Sequence, residues 1–486
     1  MKADIDVLII GGGISGIGAA YHLKKQCPQK SFQILEGLES FGGTWITHKY
    51  PGIRSDSDLY TFGYRFKPWV GAPIATAEEI LEYLGEVIHD ENLEDHILYN
   101  HHVVSAKWSS EETLWTIEAY EKRSGEKKVF RSNFLWMCQG YYNHEKGHTP
   151  KWDNMDAFNG AIVHPQTWPE DLDYQNKEVI VIGSGATTAT IVPAMAAECN
   201  HITVIQRSPT YFIPAQNQQI LANILRKFKV KEKWVHSLTR YFILFLQEQF
   251  IKMTFKSPEK AKKRLIDGIR PYLHPDYDID THFTPSYRPW KQRIAFVPDG
   301  DLFQGIKAGK ATMVTDEISC FTKEGVKLKS GKEIPADIIV TATGFELSVL
   351  GGINFYVDDK EVDFSKTVTY RGTMFTGVPN MAWIMGYFRA SWTLRVDLLG
   401  DFICRLLNFM DKKGHKSVVP YINDDDPMEL FPWIDPDNFN PNYLMRSQQD
   451  MPKRGAKMRW QHTQNYWLEK KELPKVDLEK DSLHYK

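Results

Sequence analysis

Two glycine turns, and the residues that answer them, carry the chemistry open to this chain. The first is Gly11-Gly12-Gly13-Ile14-Ser15-Gly16, directly after the apolar run Val7-Leu8-Ile9-Ile10. In such a turn Gly11 permits the sharp reversal and Gly13 lets backbone N–H groups approach a pyrophosphate. Gly16 lets the following helix lie close to the strand, and the phosphates rest on the positive helix N-terminus. Glu36 ends the next strand-like run, Phe32-Gln33-Ile34-Leu35. A carboxylate there accepts the two ribose hydroxyls of an adenosine.

The second turn is Gly183-Ser184-Gly185-Ala186-Thr187-Thr188, followed by Ala189. Thr188 stands at the third position in place of Gly or Ala, which predicts looser helix–strand packing. The strand after it, Ile202–Gln206, ends in Arg207-Ser208 and has no acid. A guanidinium there grips a ribose 2′-phosphate that a carboxylate would repel. An acid-ended and an Arg-ended unit in one chain therefore predict FAD and NADPH as cofactors.

These turns need strands before them and helices after them, so the fold class is α/β, with two Rossmann-like dinucleotide-binding domains. Val103–Trp108 and Leu114–Tyr120 alternate as paired strands, and Asn133–Cys138 adds another. Residues 141–170, rich in Pro, Gly, His and Asn, form the connection between domains. From 216 to 289 the pattern turns helical and basic, an insertion within the second unit. The expected order is FAD domain 1–145, NADP domain 146–215, helical insertion 216–289, NADP domain 290–338, and FAD domain with C-terminal tail 339–486.

Two longer strings are more specific than either turn. Gly42-Gly43-Thr44-Trp45, with Tyr50-Pro51-Gly52 and Asp56, follows the pattern [A/G]-G-x-W-x₄-[F/Y]-P-[G/M]-x₃-D. Phe158-x-Gly160-x₃-His164-x₃-Trp168-Pro169 follows F-x-G-x₃-H-x₃-W-P. With them the chain resembles the class B flavoprotein, or Baeyer–Villiger, monooxygenases. Tyr50–Asp58, His164–Asp173, Gln206–Tyr211 and Ala390–Leu394 resemble the ethionamide-activating subgroup.

The resemblance implies an FAD enzyme that consumes NADPH and O₂. It turns ketones into esters or lactones through a C4a-peroxyflavin, with S-oxidation of sulfides and thioamides beside it. It also implies roles. Arg293 is the catalytic cation and Asp56 the acid that pairs with it near the flavin. Arg54 and Ser55 touch the nicotinamide end of NADP. Thr44 and Trp45 pack along FAD, Ser15 reaches its pyrophosphate, and Val104 offers backbone to the adenine. Many relatives carry Lys directly before the Arg; here Gln292 stands there, with Lys291 one place earlier. His164 lies in the interdomain connection, so hinge or linker work suits it better than general-base catalysis. A neighbouring reading is an N- or S-hydroxylating flavin monooxygenase without Baeyer–Villiger activity, which Trp168-Pro169 and Arg293 disfavour. A non-catalytic FAD-binding redox sensor would have no use for the second, Arg-ended unit.

A formal net charge of −2 over 486 residues argues against nucleic acid as a partner. The expected partners are a small ketone or sulfide and O₂. Five scattered cysteines, with no C-x-x-C pair, set aside a dithiol reductase and a zinc ribbon and fit a reducing compartment. No metal is expected, and the cytoplasm is the default location. Residues 226–264 hold twelve Lys/Arg against three Asp/Glu, with Trp234, Leu238, Phe242 and Phe245 at helical spacing. The plainer expectation is a helix packed on its domain with a solvated basic face. Weak contact with a membrane surface, or with a hydrophobic substrate store, is the alternative.

Overall fold

The computed structural model describes residues 3–423 and 427–486. Ile5–Ile10 is a parallel strand whose last four residues are buried, as a strand covered on both faces must be. Phe32–Leu35 pairs with it on one side and Lys127–Met137 on the other, both parallel. Ile97–Leu98 extends one end of this sheet, and Met381–Trp383 lies parallel to Lys127–Met137 at the other. His101–Ser109 and Leu114–Glu121 complete an antiparallel meander with Lys127–Met137, and Asn354–Val357 joins its edge. The first sheet therefore takes strands from both ends of the chain.

Helix Ile14–Gln26 is clamped to helix Trp392–Lys413 by small residues. A Cβ on Gly18 would stand 2.8 Å from Val396 Cγ1, and one on Gly400 would stand 2.4 Å from the His22 ring. The close approach lets buried His22 hydrogen-bond Asp397 at 3.0 Å.

The second sheet is wholly parallel, in the order Ala161–Val163, Ile338–Thr341, Glu178–Ile182, His201–Gln206, Ala311–Thr315. The α/β fold with two Rossmann-like units is thus present. Two expected borders need correction. Ile338–Thr341 is hydrogen-bonded on both sides inside the second sheet, so a border between residues 338 and 339 would split a central strand. The chain leaves that sheet only after Thr341. On the outward path, Tyr142–Gly147 runs across the expected border at 145/146 and pairs antiparallel with returning Phe345–Leu347. The two connections form one two-stranded bridge.

The insertion folds as helices Ile220–Lys227, Glu232–Lys256, Pro258–Ile269 and Ile279–Phe283. Glu232–Lys256 packs on the domain through Val235 and Leu244 and exposes its lysines, but the four apolar residues expected to do the packing do not. Trp234, Leu238, Phe242 and Phe245 are exposed, while Val235, His236, Thr239, Arg240 and Leu244 face inward. Arg240 sets this orientation. Its Nη1 donates to the carbonyls of Tyr60, Thr61 and Gly63 at 3.1, 3.0 and 2.8 Å, acceptors that the end of helix Leu59–Phe62 leaves unpaired. Among the described residues, no helix is long and apolar enough to cross a membrane, and no His/Cys/Asp/Glu cluster could hold a metal.

The tail is structural. Arg395, fully buried, donates Nε to Glu469 at 2.9 Å and its other nitrogens to the carbonyls of Met385, Gly372 and Arg371. Tyr387 adds a 2.6 Å bond to the same carboxylate. Removing one member of a buried ion pair leaves the other charge unpaired, at a cost of about 3–5 kcal/mol. Glu469→Ala should therefore lower the thermal midpoint by several degrees. An unshifted melting curve would show that the tail is not part of the fold's foundation.

Candidate functional site

The first glycine turn is tight for a steric reason at each end. Gly11 sits at φ +105°, and a Cβ there would meet the Cys138 carbonyl oxygen at 2.6 Å. A Cβ on Gly16 would stand 1.9 Å from the Gly11 oxygen, so the helix can begin so close only without one. Gly13 differs: a Cβ there meets only the Gly43 backbone, at 3.7 Å. Gly43 belongs to the Gly42–Trp45 string, which Gly42 pins to the turn by donating its N–H to the Gly12 carbonyl at 3.1 Å. This leaves a cradle at the helix N-terminus that any side chain would begin to fill.

Glu36 closes the far side. Its two oxygens accept the N–H groups of Gly12 at 2.5 Å and Leu38 at 2.8 Å. Burial pushes its carboxyl above the usual range, against the pull of those two N–H groups. Val104 is the extra residue of a bulge in His101–Ser109: Val103 pairs with Ala119 and Ser105 with Glu118. Its backbone is skipped by that ladder, as a contact to a flat ring requires. The residues present thus fit an adenine dinucleotide. Thr44 Oγ1 bonds the Tyr142 hydroxyl, and Trp45 meets Phe62 edge-on at 5.8 Å. Ser15 is buried and its Oγ accepts the Trp392 indole N–H at 2.8 Å.

At the second turn Gly183 takes φ +132°, with the Ala342 oxygen 2.3 Å from where its Cβ would be. Around Gly185 a Cβ would meet nothing within 4 Å, so the helix start at Ala186 is open. Thr188 fits a buried side chain where the first unit has Gly16. Its Oγ1 lies 3.5 Å from the Gly183 Cβ position. Ser184 Oγ ties this turn to the loop after Gln206, donating to the Ser208 carbonyl at 3.2 Å and pairing with Thr210 at 2.9 Å. Arg207 and Ser208 stand exposed at that strand end, with Glu317 as the charged neighbour of Arg207.

Arg293 and Asp56 meet across the cleft between the two sheets, Nη1 to Oδ2 at 3.7 Å, with 41% of the Arg293 side chain exposed. Burial works against the Arg293 charge, but Asp56 and the phenols of Tyr443 and Tyr141 outweigh it and hold the guanidinium more firmly protonated than usual. Arg54 and Ser55, beside Asp56 in the chain, make contacts of their own. Arg54 is ion-paired with Asp301 at 2.5 Å and donates to the Ala189 carbonyl at 3.1 Å. Buried Ser55 spends its hydroxyl on the Ser57 carbonyl at 2.8 Å. His164 sits at the two-stranded bridge: its Nε2 bonds the Gly344 carbonyl at 3.2 Å, and its ring lies where a Gly147 side chain would be.

What holds Arg293 in place left no mark in the sequence. Trp290 takes φ +63°, a left-handed conformation that costs a bulky residue about 1–3 kcal/mol. The tail secures it. The Lys291 carbonyl accepts the Asn440 N–H at 2.8 Å, and Arg288 and Arg389 both donate to the Asn438 carbonyl, at 2.7 and 2.6 Å. Tyr443 joins Tyr141, which stacks on Trp392 at 5.3 Å. Nearby, a cavity of about 360 Å³ is lined by Leu244, Ile251, Phe255, Arg389, Tyr466 and Trp467 among others. Asn438 and Asn440 lie in irregular chain, and Tyr443, Tyr466 and Trp467 in helices of only five and seven residues, too short to show a period.

With this geometry described, comparison with known proteins adds the following. Residues 73–369 match the family described as flavin-binding monooxygenase-like, and residues 9–70 match the NAD(P)-binding Rossmann-like domain. The FAD-containing monooxygenase EthA of Mycobacterium tuberculosis (strain ATCC 25618 / H37Rv) is 43% identical, covering 96% of this chain and 94% of that one. The probable FAD-binding monooxygenase AlmA of an Acinetobacter species is 44% identical, over 97% and 94%. Among solved structures, cyclohexanone monooxygenase with bound epsilon-caprolactone superposes with a TM-score of 0.76 at 18% identity, over 99% of both chains. OTEMO in complex with FAD and NADP gives 0.74 at 19%, over the whole of both. At those identities the structural likeness speaks for the fold.

The contrast between Gly13 and Gly16 can be tested. Gly13→Ala should fold normally and lose flavin, because its methyl occupies the cradle without striking the protein. Gly16→Ala should fail to fold, because its methyl strikes the Gly11 carbonyl. Flavin absorbance per folded protein separates them; a fully yellow Gly13→Ala would move the flavin away from this turn.

Proposed function

The chain belongs to the flavin-binding monooxygenase-like family, and we propose that within it this protein is an NADPH-dependent Baeyer–Villiger enzyme. It inserts one oxygen atom of O₂ beside the carbonyl of a ketone to give an ester or lactone, and it also S-oxidises sulfides and thioamides. The observation that carries this reading is the Arg293–Asp56 pair, a cation held by an acid across the cleft between two dinucleotide units.

The residues divide the work. Gly11, Gly13, Ser15 and Gly16 seat the FAD pyrophosphate, Glu36 takes its ribose, Val104 its adenine, and Thr44 and Trp45 flank it. Gly183 to Ala189 seat the NADPH pyrophosphate at a helix N-terminus, and Arg207 with Ser208 takes the 2′-phosphate. Arg54 and Ser55 keep a place near the nicotinamide, with Arg54 also joining the two units through Asp301. When bound, the flavin supplies the redox chemistry, accepting hydride from the nicotinamide and passing electrons to O₂. Arg293 faces the negative charge that gathers on oxygen as it adds to the ketone, and Asp56 keeps the guanidinium aimed. Tyr141 and Tyr443 set their phenols beside Arg293, with Trp392 stacked on Tyr141.

Two variants test this division. Arg293→Ala should still oxidise NADPH to NADP⁺, but with its electrons reducing O₂ to hydrogen peroxide, and with ester yield lower by about 10²–10³. Near wild-type ester yield would reduce Arg293 to a structural part. Sulfoxide formed without ester, from wild-type enzyme under ¹⁸O₂ with a ketone and sulfide panel, would favour the S-oxidising reading. Arg207→Ala should raise KM for NADPH about tenfold to a hundredfold, the worth of one charge-assisted phosphate contact, and leave NADH nearly untouched. Equal losses with both nucleotides would sink the assignment.

A further inference from the structure

A helix on a protein surface ordinarily buries its apolar stripe and shows water its polar one; helices Ile220–Lys227 and Glu232–Lys256 bury Ala222, Val235 and Leu244 yet keep a second apolar stripe outward. Their outward face carries Phe228 at 76% exposed and Trp234 at 60%, continued by Leu238, Tyr241, Phe242 and Phe245. These positions recur at three- and four-residue steps along one side of the longer helix. The inward face carries buried Val235 and Leu244 together with His236, Thr239 and Arg240. Rotating the long helix to bury its aromatics would break the three carbonyl bonds of Arg240 and its approach to Asp397 at 3.7 Å. The outward stripe is thus built into the fold. A contiguous apolar face of this kind marks an interaction surface.

Its rim narrows the choice of partner. Lys227, Lys229, Lys231 and Lys233 gather at one end and Lys252 and Lys256 at the other. The two acids of residues 220–256 are occupied: Glu232 pairs with Arg226 at 2.6 Å and Glu248 with Lys252 at 3.2 Å. A second copy of this chain laid on the face in two-fold fashion would set these lysine clusters against a surface bearing the same sign. An aromatic stripe between lysines matches the boundary between lipid headgroups and acyl chains, where rings enter and ammonium groups reach the phosphates. We propose that this helix pair lies flat on a bilayer containing anionic lipid. Attachment is by insertion of Trp234, Phe242 and Phe245 and by attraction of the lysine rim, independently of the reaction catalysed.

Flotation of the full-length protein with vesicles of phosphatidylcholine, with and without phosphatidylglycerol, tests the proposal. The protein should float with the phosphatidylglycerol vesicles, much less with phosphatidylcholine alone, and come off as salt screens the lysines. The double variant Phe242→Ser/Phe245→Ser changes only exposed side chains, so its NADPH oxidation in solution should be unchanged. Its partition onto vesicles should fall at least about tenfold. Lys229→Glu/Lys231→Glu should lose the preference for anionic lipid. No flotation at low salt, or undiminished flotation of the phenylalanine variant, overturns the proposal. So does a dimer in sedimentation velocity that the phenylalanine variant converts to monomer while neither binds vesicles, which would give the face to a second copy.

Discussion

The fold depends on one crossing. The chain passes from the first sheet to the second through Tyr142–Gly147 and returns through Phe345–Leu347, and the two segments hydrogen-bond as a single antiparallel pair. His164 locks this bridge, its ring pressed on Gly147 and its Nε2 on the Gly344 carbonyl. Asp56 belongs to the first unit and Arg293 leads into a strand packed in the second core. Their separation is therefore set by how this bridge and the Arg54–Asp301 ion pair hold the two units together. A small change in the bridge moves the cation relative to its acid, and a displacement of about 1 Å is enough to matter for chemistry of this kind.

Local rules made much of the fold legible. Ile5–Ile10 and Glu178–Ile182 are short apolar runs ahead of glycine turns, and backbone sterics leave such strings few other conformations. Gly11 and Gly183 were readable because a positive φ and a close carbonyl leave room for no side chain. The border near residue 338 was misjudged because Asp337 to Ala342 has the same apolar composition whichever sheet it joins, and only pairing decides. Long-range partners left no trace in sequence. Nothing in the sequence around Asn438 says that its carbonyl will take two guanidinium donors, nor that Tyr443 will stand beside Arg293. Arg293 itself was visible only through resemblance to a known family.

Helix Glu232–Lys256 shows why period alone does not give orientation. Its apolar residues recur at helical spacing, yet buried Val235 and Leu244 share the sequence with exposed Trp234 and Phe245, so both faces read as apolar. The decision fell to one polar side chain, Arg240. Its guanidinium donates to three carbonyls at the end of another helix, bonds that turning the helix over would break.

The distribution of the first sheet along the chain has a consequence for how the protein is made. Its strands at residues 5–10, 32–35 and 127–137 leave the ribosome early, but Asn354–Val357 and Met381–Trp383 come much later, and buried Arg395 waits for Glu469. For much of translation the nascent chain carries a half-finished sheet with an open edge, and Arg395, once made, stays unpaired until Glu469 follows. The parallel sheet around Glu178–Ile182 has all its strands by Thr341 and can close first. The segment encoded first is thus among the last to be completed, and during that interval its unpaired edge is open to wrong pairing and aggregation.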